Sequence, residues 1–163
     1  MWVWQFAKAN HIAVQNGWTP FISMQNHVNL LHQEEEREML PYCRDQNIAG
    51  IPWSPLARGR LPRPWNQSTK RLETDQVSPT LYMDSDAGIV TRVEEIAARR
   101  DIPMAQVALA WVLQKDGITG PTKMRHLDDA IAALSVMLEA EEISALEELY
   151  TPRPVVGLAP PPR

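Results

Sequence analysis

The sequence predicts an α/β domain with a parallel sheet, and two patterns carry that prediction. Short apolar, β-prone segments alternate with segments whose apolar residues recur at helical spacing. The connections between the predicted strands are also long enough to hold a helix, which parallel pairing requires. About three strands are recognisable, too few to close an eight-stranded barrel, so the predicted barrel-like sheet is incomplete and has exposed edges.

In the first half of the chain, helix and strand alternate. A helix is predicted over 2–16, ending at Asn16-Gly17, followed by a strand over 21–26. The segment 34–47 predicts a helix with an acidic first turn, in which Pro41 marks a kink or a second start. The second strand covers 48–54. This order is that of a βαβ unit.

The second half opens with a long irregular segment, 55–84, rich in proline and weakly periodic. A connection of this length is usually functional or disordered, and we interpret this one as a cofactor or substrate loop. Helices are predicted over 87–100 and 103–116, a very short third strand over 117–123, and two final helices over 124–135 and 139–150. The tail, 151–163, is proline-rich and predicted to be extended. The chain is thus read as one partial domain, 1–163.

Composition excludes several classes of protein. The 163 residues are 44% hydrophobic and carry a net charge of −4, with no concentrated basic face, which argues against a nucleic-acid surface. No apolar run reaches the ~20 residues that span a bilayer, and the first residues lack the pattern of a secretory signal, so a cytoplasmic protein without a membrane partner is expected. Cys43 is the single cysteine, and the four histidines lack metal-binding spacing, so no metal site is expected.

Candidate ligand-binding residues follow the two predicted strands, at the end where α/β sheets bind ligands. Gln25 and Asn26 place side-chain amides there, and such an amide suits a carboxamide, or it caps a neighbouring loop. Trp53 offers a face on which a heteroaromatic ring can stack, or it belongs to the core. The next residues supply the amide, hydroxyl and guanidinium groups that bind a pyrophosphate, or form a solvated basic turn: Ser54, Leu56, Ala57, Arg58 and Gly59.

A second candidate anion site precedes the helix at 124–135. Gly120, Thr122 and Lys123 place a hydroxyl and an ammonium group before a helix N-terminus, where a phosphate can bind. Thr122 can equally be only the N-cap of that helix.

The string "MQNHVNLLHQEEEREMLPYCRDQNIAGIPWSPLARGRL" resembles the aldo-keto reductase superfamily, in particular the bacterial and plant oxidoreductases related to potassium-channel β subunits. The strings "VALAWVLQKDGIT", "TKMRHLDDAIAAL" and "LEAEEISALEELY" continue the resemblance in the same order. It implies the C-terminal portion of a (β/α)8 TIM barrel, an oxidoreductase that reduces aldehydes and ketones with NADPH.

The resemblance also implies roles for individual residues. Gln25 would hold the nicotinamide carboxamide, and Trp53 would stack on the nicotinamide ring. The pyrophosphate loop would comprise Ser54, Pro55, Leu56, Ala57 and Arg58. Contacts to the adenosine and its 2′-phosphate would come from Gly120, Thr122, Lys123, His126 and Asp129. Lys123 and Arg125 would favour NADP over NAD by their charge.

Two departures from the family pattern limit what is expected of this chain. The family's catalytic aspartate, tyrosine, lysine and histidine belong to strands that precede the matched region, so no catalytic residue is assigned here. The segment at 117–123 is also shorter than the last strand of relatives. We therefore expect an NADP-binding, truncated half-barrel that is inactive alone. The alternative is an inactive remnant that binds nucleotide or associates with itself through exposed sheet edges.

Overall fold

The computed structural model describes residues 1–69, 74–118 and 127–153. The first part holds helix α1 (Val3–Gln15), strand β1 (Ser23–Met24), helix α2 (Met39–Asp45) and strand β2 (Ala49–Gly50). The remainder is helical, with α3 (Ser78–Leu81), α4 (Ala87–Arg100), α5 (Met104–Leu113), α6 (Leu127–Ala133) and α7 (Ala140–Glu147). The predicted tail lies outside the described residues from position 154 onwards.

The two strands pair in parallel, which confirms the predicted βαβ unit. Ser23 faces Ala49 and Met24 faces Gly50. Gly50 also forms a parallel bridge with Ile118, its amide donating to the Gly117 carbonyl at 2.8 Å. A Cβ on Gly50 would lie 3.3 Å from that carbonyl oxygen, so a larger residue would push the third segment away. Of the predicted third strand, 119–123 lies outside the described residues, and the sheet in the described part is not a closed barrel.

The acidic segment 34–47 is not one helix. Glu34–Glu36 form a 3₁₀ turn, and the α-helix starts afresh at Met39. Pro41 therefore lies in the first turn of α2, where its missing N–H breaks no helical hydrogen bond. The second start, and not the kink, is the correct interpretation of this proline.

The main core forms where α4 and α5 pack on the loops that follow the strands. The buried face of α4 repeats at helical spacing through Val90, Val93 and Ala97. Trp111 on α5 is buried, and its indole N–H donates to Glu147 of α7 at 2.7 Å. A second, smaller cluster contains Phe6 of α1 together with Met39, Cys43 and Ile48, so the thiol of Cys43 is buried.

A buried polar layer lies between the sheet and the main core. His27, Asn29 and Tyr82 meet there, with the Tyr82 hydroxyl 3.2 Å from Nε2 of His27 and 3.3 Å from Nδ2 of Asn29. His32 stacks on His27 and donates from Nδ1 to the His27 carbonyl oxygen at 3.0 Å. These contacts satisfy most polar atoms of the layer, as burial requires.

A buried ion pair anchors the end of the described chain. The Arg153 guanidinium pairs with the Asp86 carboxylate, with side chains 3% and 2% exposed. It also donates to the Leu81 carbonyl oxygen at 3.0 Å. The Arg153 backbone N–H and the Tyr150 hydroxyl both donate to Oε1 of Glu34, at 2.8 and 2.7 Å. The residues after α7 are thereby tied to the loops that follow β1 and β2.

Within these described ranges, no helix combines the length and apolar character needed to cross a membrane. Nor does this part of the chain gather three or more histidine, cysteine or acidic side chains where a metal ion could bind.

We predict that stability depends on pH through His27. Burial, followed by the charges of His32, Arg153 and Arg58, lowers the pKa of His27 from 6.5 to about 3. Between those values the unfolded chain binds a proton that the folded chain does not. The free energy of unfolding therefore falls as pH falls, by about 1.4 kcal/mol per pH unit for this group.

Denaturant titrations at several pH values between about 6.5 and 4.5 measure this slope. Burial lowers the pKa of His32 as well, so His32 adds to the slope with the same sign. His27→Phe removes only the His27 share and should flatten the dependence. An equal slope in the two proteins would contradict the assignment.

We also predict that Arg153→Met costs about 3–5 kcal/mol of unfolding free energy, because it leaves Asp86 buried without its counter-charge. The matched control is Arg92→Met, since Arg92 pairs with Glu95 and Glu148 on the surface. The control should cost far less, because water and salt screen an exposed ion pair. Urea denaturation compares the two variants, and similar losses would show that the Arg153 pair is not the anchor.

Candidate functional site

Parallel pairing brings the carboxyl ends of β1 and β2 together at one end of the sheet. Past the strands, the ladder continues with the Trp53 amide donating to the Asn26 carbonyl at 2.8 Å, and with a parallel bridge between His27 and Trp53. Gln25, immediately before this point, has an exposed side chain. Gln25 and Trp53 were proposed from sequence as ligand-binding residues. They therefore follow neighbouring strands at the same end of the sheet.

Trp53 is not a core tryptophan. Its side chain is 37% exposed, whereas His27 beside it is buried. The two rings stack with centroids 3.9 Å apart and an interplanar angle of 13°. Since His27 covers one face of the indole, the exposed area belongs to the other face and the ring edge. A flat aromatic surface at a strand end is the shape on which a heteroaromatic ligand can stack.

The loop after Trp53 has a strained backbone. Ser54, Ala57 and Arg58 have φ of 53°, 48° and 55°, and Gly59 follows at 100°. Only glycine adopts such angles without cost, and the others carry of order 1 kcal/mol each. A run of strained residues next to a strand end is typical of a binding loop, where backbone groups are turned towards a ligand.

The backbone amides of this loop differ in what they can offer. The Ala57 N–H donates to the Ser54 carbonyl oxygen at 2.9 Å and closes the turn. The N–H groups of Ser54, Leu56 and Arg58 donate to no atom of the described residues. These three amides, and not that of Ala57, are the donors available to an anion.

The Arg58 guanidinium is already paired. Its Nε and Nη2 donate to the two carboxylate oxygens of Asp75, at 2.6 and 2.9 Å. Asp75 is buried and also accepts from the amides of Val77 and Ser78. The hydrogen bonds from Arg58 lower the pKa of Asp75 to about 2. The charge of Arg58 is therefore neutralised by Asp75. The pair also ties the loop after Trp53 to the segment before α3.

The second predicted anion site cannot be placed. Gly120, Thr122, Lys123 and His126 lie outside the described residues. Asp129 belongs to α6, of which the described backbone runs from Leu127 to Ala133. Their proposed contacts to the adenosine end of a cofactor remain predictions from sequence.

Three residues of the site were not singled out from sequence: His27, Asn29 and Asp75. The sequence carries a signal for His27, since it lies two residues after Gln25 on the strand path. Asn29 and Asp75 act through contacts with residues 25 and 17 positions away, Ser54 and Arg58, and local patterns carry no signal for such pairs.

Two grooves of the described chain lie away from Trp53. A groove of about 490 Å³ runs between α1 and α2, lined by Asn10, Phe21 and Tyr42 among others. A second, of about 340 Å³, borders the first residues and Glu34–Met39. Neither of these two grooves includes Trp53.

Comparison with known proteins gives the family. Residues 3–151 match the model of the Aldo/keto reductase family. Versiconal hemiacetal acetate reductase of Aspergillus parasiticus is 47% identical over 163 residues, covering 95% of this chain and 48% of that protein. An aldo-keto reductase of Fusarium vanettenii is 45% identical over 163 residues, covering 96% of this chain and 44% of that protein.

A putative aryl-alcohol dehydrogenase of Schizosaccharomyces pombe is 45% identical over 159 residues, covering 94% of this chain and 45% of that protein. The chain spans about half the length of the curated relatives it matches. Since the family model matches residues 3–151, and the two reductases named first are 47% and 45% identical over 95% and 96% of this chain, the chain belongs to the aldo/keto reductase family.

Proposed function

We propose that this chain is the NADP(H)-binding C-terminal portion of an aldo-keto reductase. The observation that carries the proposal is the exposed indole face of Trp53, backed by His27 and followed at once by a loop with three available amides. An aromatic platform next to anion donors suits a ligand with a heteroaromatic ring joined to a phosphate, which is the nicotinamide end of this cofactor.

The residues described fit that end of the cofactor, with one exception. Trp53 would stack on the nicotinamide, the exposed Gln25 amide would take its carboxamide, and the amides of Ser54 and Leu56 would take the pyrophosphate. Arg58 adds little net charge there, since Asp75 neutralises it. The preference for NADP over NAD is proposed from Lys123 and Arg125, which lie outside the described residues.

When bound, the cofactor supplies the hydride that reduces an aldehyde or ketone, in the family's reaction. This chain's part is to bind the cofactor and orient it. Proton donation would come from a tyrosine outside the matched region. Tyr82, the described tyrosine that contacts His27, is buried, and burial raises its pKa to about 12, which makes it a poor proton donor at neutral pH. We therefore propose that the chain alone does not catalyse the reaction. A separate proposal is that it acts in the cytoplasm.

A second candidate function is self-association through the sheet edge. The backbone hydrogen bonds between the two strand segments use Ile22, Met24 and Asn26, so the alternate residues Ser23 and Gln25 direct their backbone groups to the other edge of β1. Exposed apolar side chains lie beside this edge, with Trp18 64% and Ile22 79% exposed. An unpaired strand flanked by apolar surface is a template for association.

We predict that Trp53→Ala weakens NADPH binding about tenfold, measured by calorimetry, because it removes the stacking platform. Trp18→Ala is the control, since Trp18 is another exposed tryptophan, and it should leave the affinity unchanged. Absence of NADPH binding by the unsubstituted chain, or an equal effect of the two substitutions, would refute cofactor binding at Trp53. Aldehyde-dependent NADPH oxidation by the purified chain would refute the proposal that it is inactive alone.

For the second candidate, light scattering should show a mass above that of one chain, and Ile22→Glu should reduce it, because a charge beside β1 opposes edge pairing. Ile131→Glu, at another exposed isoleucine on α6, should leave the mass unchanged. A monomer at all concentrations would exclude self-association.

A further inference from the structure

Three aromatic rings form a continuous stack that ends at the exposed face of Trp53. The His32 and His27 rings lie 4.1 Å apart at 20°, and the His27 and Trp53 rings lie 3.9 Å apart at 13°. The two histidines are buried, whereas Trp53 is the layer that reaches solvent. A flat ligand on Trp53 would become the fourth layer.

The middle ring, His27, is held from several directions. Its Nε2 lies 3.2 Å from the Tyr82 hydroxyl and 3.2 Å from Nδ2 of Asn29, and its carbonyl oxygen accepts from His32. The Tyr82 ring also meets His27 edge-on at 6.2 Å. Packing on one face and hydrogen bonds at the ring edge leave His27 one orientation.

The outer ring has less to hold it. Trp53 is bound to the sheet through its backbone amide, but a side chain this exposed can turn about its own torsions unless another group fixes its plane. The contact with His27 supplies that plane. The same cluster also holds the loop, because Nδ2 of Asn29 donates to the carbonyl oxygen of Ser54 at 2.9 Å.

We propose that His27 is a positioning residue, which fixes the plane of the Trp53 ring so that the nicotinamide stacks on a platform already in place. This inference rests on the proposed function. A platform that is fixed before binding loses less conformational entropy when the ligand binds. This raises the affinity for the nicotinamide end of the cofactor and leaves the affinity for the rest of the cofactor unchanged. Burial keeps the pKa of His27 at about 3, so the ring that backs Trp53 is uncharged at neutral pH.

The test compares His27→Phe with His27→Leu. Both substitutions remove the nitrogen that contacts Tyr82 and Asn29, so they share the same polar loss. Phenylalanine keeps a flat ring against Trp53, and leucine does not. Each protein is titrated calorimetrically with NADPH and with 2′-phospho-ADP-ribose, which lacks the nicotinamide.

We expect His27→Phe to bind NADPH within about twofold of the unsubstituted chain, and His27→Leu to bind it about 3- to 10-fold more weakly. Affinity for 2′-phospho-ADP-ribose should be the same in all three proteins. If the role of His27 were purely structural, a substitution would weaken the binding of both ligands together, or the two variants would lose the same affinity. Either outcome overturns the proposal. Unchanged NADPH affinity in His27→Leu overturns it too.

A measurement without ligand separates this inference from the proposed function. The near-ultraviolet circular dichroism of Trp53, isolated by subtracting the spectrum of a Trp53→Phe counterpart, should persist in His27→Phe and collapse in His27→Leu. If the unsubstituted chain binds neither ligand, the proposed function fails. The Trp53 signal still decides whether His27 fixes the ring, and an equal signal in both variants would show that it does not.

Discussion

The parallel register between β1 and β2 is the constraint on which the candidate site depends. Pairing Ser23 with Ala49 and Met24 with Gly50 carries the two chain paths past the strands in step, until His27 meets Trp53. Side chains alternate along a strand, so a shift of one residue would turn Trp53 away from His27 and dismantle the ring stack. The same register directs the backbone of Ser23 and Gln25 to the other edge of β1.

Two buried carboxylates are paired with arginines where the chain has few regular elements. Arg153 with Asp86 and Arg58 with Asp75 each join a long loop to a distant part of the chain. A buried pair adds little net stability but is costly to break, so such contacts specify where a loop lies more than they strengthen it. The irregular segment after β2 is held by these pairs together with the burial of Ala57 and Leu61 in the main core. His27 is also buried, but it avoids the cost of an unpaired buried charge because it stays neutral.

Local patterns predicted what local forces decide. The helical spacing of apolar residues placed α1 and α4 to within a residue or two, because each helix buries one face and ends at a recognisable signal such as Asn16-Gly17. The segment 34–47 was predicted less well. Its acidic start and its apolar residues suggested one helix, but Glu34 accepts hydrogen bonds from Tyr150 and Arg153. Those contacts come from more than a hundred positions away, and no local pattern contains them.

The sequence by itself determined the family, the α/β class and the strand-end positions of Gln25 and Trp53, because these follow from short-range periodicity and from an ordered string of residues. Tertiary structure alone decided that Trp53 is an exposed platform backed by His27 and that Asp75 neutralises Arg58. It also decided that the Ala57 amide donates within its own turn. Each of these depends on which distant residue comes within about 4 Å. Contact at that range is settled by how the strands register and the helices pack, not by spacing along the chain.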